Sequence, residues 1–296
     1  MRTVRIALIA VSPLFLSLPA NAADIARPVY KASPAPVATF SWTGFYIGGN
    51  LGYSWGKAET SASIPGFTNI IGSLDVDVPG ASFSDSNKLK GIIGGGQLGY
   101  NLQTGPWLFG VEADLQASGE KGRATRVTSF DETSDDGVAV TNISGAATTE
   151  YDARIRWFGT VRGRLGYAAD GLLIYGTGGL AYGRVQVAGI NSIDGVVTDC
   201  VGIFPCNLTP FGASGNFSRS KVNTGWTLGA GVEGMLANNW SWKIEYLYLD
   251  LGSLNVTSTL PAIGTFTAQT DFTDHILRVG LNYRFGWGKG PVMAKY

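Results

Sequence analysis

The chain has 296 residues, 22 basic and 22 acidic, so its formal charge is zero; it contains 42 glycines and one histidine. The neutral balance gives nucleic acid nothing to attract, and a lone imidazole removes most metal centres and acid–base relays. The length suits one large all-β domain or two ordinary ones, while abundant glycine with only 15% charged residues is unlike an ordinary soluble globule.

The first segment, residues 1–22, places Arg2 and Arg5 before an apolar run from Ile6 to Leu18 and closes on Ala20-Asn21-Ala22. A charged start, a short apolar stretch and a small-x-small end form an export signal. The run is shorter than the roughly 20 residues a membrane helix needs, and Pro13 and Pro19 interrupt it. Residues 23–41 are rich in Pro and Ala and read as an extended leader. No later stretch has 18 consecutive apolar residues.

Residues 42–286 follow, and 287–296 form a tail. Eight glycine-studded, aromatic runs read as strands: roughly 43–57, 88–103, 107–118, 151–168, 171–188, 221–236, 240–251 and 271–286. Tight turns join some of them, at Thr104-Gly105-Pro106, Ala169-Asp170-Gly171 and Asn238-Asn239. Between the turns lie long segments at 58–87, 119–150, 189–220 and 252–270. Four structureless loops of that length are foreign to a soluble domain. They suit an outer-membrane barrel, with short turns at one end, long loops at the other and an even strand count.

Alternation along the runs supports the same reading, because successive side chains of a strand point to opposite faces. In 151–168, Ile155, Trp157, Val161, Leu165 and Tyr167 share one face, and Arg154, Arg156, Arg162 and Arg164 the other. Glu112 and Asp114 oppose Trp107, Phe109, Val111 and Leu115 in the same way. Lys243 and Glu245 oppose Trp242, Ile244, Tyr246 and Tyr248; Arg278 and Arg284 oppose Leu277, Val279, Leu281, Tyr283 and Phe285. With Glu233, these charged residues predict an internal network of paired ions. An eight-stranded barrel is just wide enough for side chains to fill.

Two G-x-G-x-x-G patterns, at Gly94, Gly96, Gly99 and at Gly229, Gly231, Gly234, would signal a dinucleotide only between a strand and a helix. Both lie inside strands, so no cofactor is expected from them. Gly229 and Gly231 share a face with Glu233, and the expectation is room for neighbouring arginines. Cys200 and Cys206 read as a local disulfide in an exported chain; no metal site is expected.

His275 could ligate haem, but it reads first as an interfacial histidine beside the last strand. A Ser–His relay there would need a positioned acid, and Asp274 falls on the opposite face, so no catalytic residue is assigned. The acidic stretches 75–77 and 131–137 lack the ligand spacing of a calcium loop and read as solvated loop.

The segments Trp42-Thr43-Gly44-Phe45-Tyr46 and His275–Phe285 resemble the small alphaproteobacterial outer-membrane barrels described as immunogenic, haemin-binding or porin-like proteins. The resemblance covers the whole mature chain. It implies an outer-membrane location and barrel assembly machinery as a partner. The even strand number with short periplasmic turns places both termini in the periplasm, and outer-membrane lipid and lipopolysaccharide are the expected surroundings. Gly280, Tyr283 and Phe285 are similar to the end signal that such machinery reads. This chain continues to Tyr296, which leaves Phe285 and Tyr296 as candidates for the recognised aromatic.

The reading is thus an eight-stranded antiparallel transmembrane β-barrel acting as a non-enzymatic surface protein of the envelope. Its rivals are a narrow diffusion channel and a haemin receptor. Because the fourth run is longer than the roughly ten residues that cross a membrane, the sheet is expected to project beyond it.

Overall fold

The computed structural model describes residues 41–285 apart from 65–66, 72–73, 79, 136, 170, 238 and 261–263. The export signal, most of the leader and the tail fall outside the described residues. The strands are β1 (Gly44–Ile64), β2 (Phe67–Ile71), β3 (Leu74–Val78), β4 (Ala81–Thr104) and β5 (Trp107–Asp135). They continue with β6 (Ala139–Ala169), β7 (Leu172–Val201), β8 (Asn207–Met235), β9 (Trp240–Leu260) and β10 (Gly264–Arg284). Eight of them close a barrel in the order β1-β10-β9-β8-β7-β6-β5-β4, and β2 and β3 form a separate hairpin. Every barrel pair is antiparallel, so each strand meets its neighbours in the meander.

Burial follows the alternation. Val111 and Leu165 are 62% and 52% exposed on the outer wall, whereas the adjacent Glu112 and Arg164 are 1% and 3% exposed inside. Aromatic rings bound the apolar wall at both ends. At the short-turn end, Phe45 meets Tyr100 at 4.7 Å, Trp107 meets Tyr167 at 5.7 Å and Trp240 meets Tyr283 at 5.2 Å. At the other end, Trp226 lies 5.2 Å from Tyr248, which lies 5.3 Å from His275, and Trp157 meets Tyr182 at 6.2 Å. Amphipathic rings at two levels around an apolar band are the mark of a membrane-spanning barrel.

Beyond the second girdle the structure departs from expectation. The segments expected as loops are largely strand: β6 has 31 residues and β7 has 30. The acidic stretch Asp131–Asp135 is the end of β5, and Asp75-Val76-Asp77 lies in β3. These extensions do alternate, with Ile143, Tyr151, Ala153, Val187 and Val197 buried on one face. Small and hydroxyl-bearing residues between them weaken the pattern.

The extended wall is no longer a cylinder. Pairing of β4 with β5 stops at Lys90–Lys121, although β4 continues to Ala81 and β5 to Asp135. Pairing of β8 with β9 stops at Trp226–Asp250, although β8 starts at Asn207 and β9 runs to Leu260. The other six seams continue, so the barrel divides into two four-stranded sheets, β4-β1-β10-β9 and β5-β6-β7-β8. Gly252 explains one opening: its φ of 63° lies in a bulge where Asp250 and Ser253 oppose Thr273 and Asp271. Bulges bend the strand that carries them, and this one follows directly on the last β8–β9 pair.

The two sheets pack face to face through Leu89, Phe272, Leu254 and Val256 on one side and Tyr151, Ala153, Val187 and Phe217 on the other. The Tyr151 hydroxyl also crosses between them and donates to Asp85 Oδ2 at 3.2 Å. The interior above the girdle is therefore a sandwich, apolar at its centre with Asn87, Asn191, Asn223 and Thr270 buried around it, rather than a channel mouth.

Candidate functional site: a charge-paired plug

Below the sandwich the interior carries charge from most of the wall. β5 supplies Glu112 and Asp114, β6 Arg162 and Arg164, β8 Glu233, β9 Lys243 and Glu245, and β10 Arg278, all 5% exposed or less. Four cations thus meet four carboxylates, and the layer is neutral.

Register brings them together, since Glu112 stands opposite Arg162 across the β5–β6 hairpin. Arg162 binds Glu112, reaches Asp114 at 2.9 Å and Glu245 at 3.2 Å. Arg278 contacts the same Asp114 at 2.9 Å, and its Nε donates to Glu245 at 2.7 Å. Lys243 donates to both oxygens of Glu112 at 3.1 Å, and Arg164 pairs with Glu233 at 2.8 Å. Ions this deeply buried are tolerated only when paired and hydrogen-bonded. These eight charges are paired with one another, so the arrangement fills space and holds strands; just above it the carboxyl groups of Glu120 and Asp274 are buried as well, 2% and 1% exposed.

Two tyrosines that alternation alone did not single out complete the layer. Tyr46 accepts from Arg164 Nη1 and donates to Glu112, both at 2.7 Å. Tyr175 donates to Glu245 at 2.9 Å while the Arg164 guanidinium lies 3.9 Å from its ring centre. Tyr175 also corrects the expectation about the glycines. A Cβ on Gly231 would lie 2.5 Å from its hydroxyl, and one on Gly99 would lie 2.4 Å from that of Tyr46. Gly99 and Gly231 therefore make room for tyrosines, and Gly229 lies against Leu247, rather than any of the three making room for an arginine. Gly94 and Gly96 lie in mid-strand, with β4 continuing to Thr104.

Arg154 and Arg156 are not in the plug, which corrects their assignment to the interior. Both are exposed on the outer wall, while Ile155 is buried. The cause is a bulge: Ile155 opposes Val185 and Trp157 opposes Arg184, leaving Arg156 as an extra residue on the outer face. One inserted residue reverses the alternation beyond it. Arg284 lies at the short-turn mouth, where Nη1 donates to the Ser41 carbonyl at 2.6 Å.

The remaining candidates have structural surroundings. His275 Nδ1 and the Tyr246 hydroxyl are 2.7 Å apart in the girdle, outside the barrel. Asp274 faces inward and accepts from Ser54 Oγ. Cys200 and Cys206 are joined at the exposed β7–β8 tip, their Cα atoms 4.2 Å apart. Tyr283 and Phe285 stack edge to face at 5.4 Å in the short-turn girdle, and Gly280 lies beside the Gly49 carbonyl. No cluster of three or more metal-ligating side chains occurs among the described residues.

Residues 14–285 match the family described as outer membrane protein beta-barrel domain. The chain is 36% identical over 272 residues to the 31 kDa outer-membrane immunogenic protein of Brucella melitensis, covering 90% of this chain and 93% of that one. It is 30% identical over 257 residues to a 22 kDa outer membrane protein of Rhizobium leguminosarum, covering 86% and 83%. Among solved structures, the attachment invasion locus protein of Yersinia pestis superposes with a TM-score of 0.31 at 15% identity, over 80% of this chain and 99% of that one. That likeness is too slight to carry weight.

Proposed function

The chain belongs to the outer membrane β-barrel family and lies in the outer membrane, and on that premise we propose that it is a sealed, non-enzymatic surface protein that holds a rigid β-sandwich above the lipid. The observation that carries this reading is the filled interior: a neutral plug of eight paired, buried charges beneath a sandwich that is apolar at its centre. A diffusion channel needs a continuous wet path, and an interior this completely occupied by side chains opposes one. An enzyme needs a reactive group facing a pocket. The one histidine instead faces outward and is held by Tyr246.

The long-strand end faces the cell exterior in this proposal, and both termini are periplasmic, as in barrels with short periplasmic turns. Lipopolysaccharide surrounds the outer half of the wall. The assembly machinery reads the last strand through Gly280, Tyr283 and Phe285. The protein contributes to envelope integrity and presents the sandwich to whatever approaches the cell.

An epitope inserted at Gly137, an exposed turn residue between β5 and β6, is expected to bind antibody on intact cells. The same epitope at Gly105, in the turn between β4 and β5, should need a permeabilised envelope. The reverse pattern would contradict the proposed orientation.

A further inference from the structure

The outer wall changes character just above the long-strand girdle. On β4, Lys90 stands beside Trp55 of β1 on one side and Lys121 of β5 on the other, and Lys121 stands beside Arg154 of β6. Lys57 and Lys88 form a further register pair on β1 and β4. All five side chains are exposed on the outside of the wall. Like charges placed directly opposite one another destabilise a sheet, so a row of three across adjacent strands implies an anion outside the chain.

Two more cations extend the row and are already oriented. Arg156 donates through Nε to Gln186 Oε1 at 2.7 Å, and Arg184 donates through Nε to Ser220 Oγ at 3.1 Å. Each guanidinium is held by a neutral partner, which leaves its charge uncompensated. The acidic neighbours are few. Asp152 pairs with Arg123 at 3.0 Å and lies 3.8 Å from Arg154, and Glu59 follows two positions after Lys57. Among the described residues, Lys57, Lys88, Lys90, Lys121, Arg156 and Arg184 have no carboxylate within ion-pair distance. The acidic residues at this level begin where the row ends: Asp271 on β10 stands beside Glu59 of β1, and Asp250 lies on β9.

We propose that this one-sided row on β1 and β4–β7 is a binding site for the phosphate groups of a lipid headgroup in the outer leaflet. Height selects the ligand class. The row begins within two residues of Trp55 and directly beside Trp157, the rings that lie at headgroup level. Cations there face laterally into the leaflet rather than upward into solvent, which suits a membrane lipid better than a dissolved polyanion. Arginine forks and lysine ammonium groups are the usual partners of phosphate. A headgroup carrying two phosphates on one sugar unit would span neighbouring strands, whose spacing is about 4.8 Å. The proposal rests on the orientation proposed above, which the epitope experiment tests separately.

The test is lipid competition on the refolded protein. In bilayers of brominated phosphatidylcholine the girdle tryptophans are quenched, and diphosphoryl lipid A that displaces the quencher from the wall restores their fluorescence. The wild type should prefer lipid A over phosphatidylcholine by roughly tenfold or more, and the triple variant Lys90→Gln, Lys121→Gln, Arg154→Gln should lose most of that preference. Raising sodium chloride from 0.05 to 0.5 M should weaken the wild-type preference, a measurement that needs no variant. An unchanged preference in the triple variant, or a wild-type preference indifferent to salt, would overturn the proposal. So would full suppression by millimolar pyrophosphate, which would make the row a site for soluble anions.

Discussion

Arg164 lies with its guanidinium carbon 3.9 Å from the centre of the Tyr175 ring and donates to Glu233 at 2.8 Å, joining β6, β7 and β8 through one side chain. Contacts of this kind make the interior a single unit. Removing one partner leaves others charged and buried, which costs several times more than losing a surface pair.

Glu112 is the centre of that unit, within ion-pair distance of Arg162, Arg164, Lys243 and Arg278. Glu112→Ala should therefore lower unfolding stability by about 3 kcal/mol or more in denaturant titrations of the refolded protein. Arg123→Ala, which removes the exposed pair with Asp152, should change it by less than about 1 kcal/mol. Similar small losses in both variants would show that the plug does not hold the barrel.

Tight packing of tyrosine against glycine gives a second expectation. Gly231→Ala places a methyl group 2.5 Å from the Tyr175 hydroxyl and 2.9 Å from the Ile244 carbonyl, and should cost about 1–3 kcal/mol through overpacking. Gly96→Ala is the control, because its nearest neighbour is a carbonyl oxygen at 3.6 Å. Melting of both variants by the shift of the folded band on unheated gels decides the point, and equal stability would contradict the packing.

The sandwich should respond to alkali. Burial, with the Asp85 carboxylate adding to it, pushes the Tyr151 hydroxyl up to about 12. A pKa raised in the folded state means stability that is complete below the ordinary tyrosine value near 10 and lost as pH climbs toward 12. Protection of the two sheets from protease should therefore fall over that window in the wild type. It should fall less in Tyr151→Phe, which has no proton to lose there; identical profiles would contradict the assignment.

The barrel itself was legible because its two signals are local. Alternation of Leu165 with Arg164, or Val111 with Glu112, needs only neighbouring residues, and tight turns such as Thr104-Gly105-Pro106 mark the ends of pairs. What escaped is non-local or depends on a single residue. Arg156 adds one position to β6 and reverses its faces, so parity counted from Arg162 assigns Arg154 to the wrong side. Tyr46 and Tyr175 enter the plug because Gly99 and Gly231 leave room for them across strand pairs, a fact that no single strand contains. The sandwich was hidden for another reason. In β6, Ile143 and Tyr151 are separated by Ser, Gly, Ala, Thr and Glu, a mixture that carries little strand signal alone and becomes strand when its neighbours pair with it.

Planar-bilayer recording on the purified, refolded protein is the most direct measurement of the central claim. With eight charges neutralised in the plug and apolar side chains packed above them, the account predicts a flat trace at voltages that open ordinary porins. Steady, reproducible unit steps from the wild-type protein would contradict it.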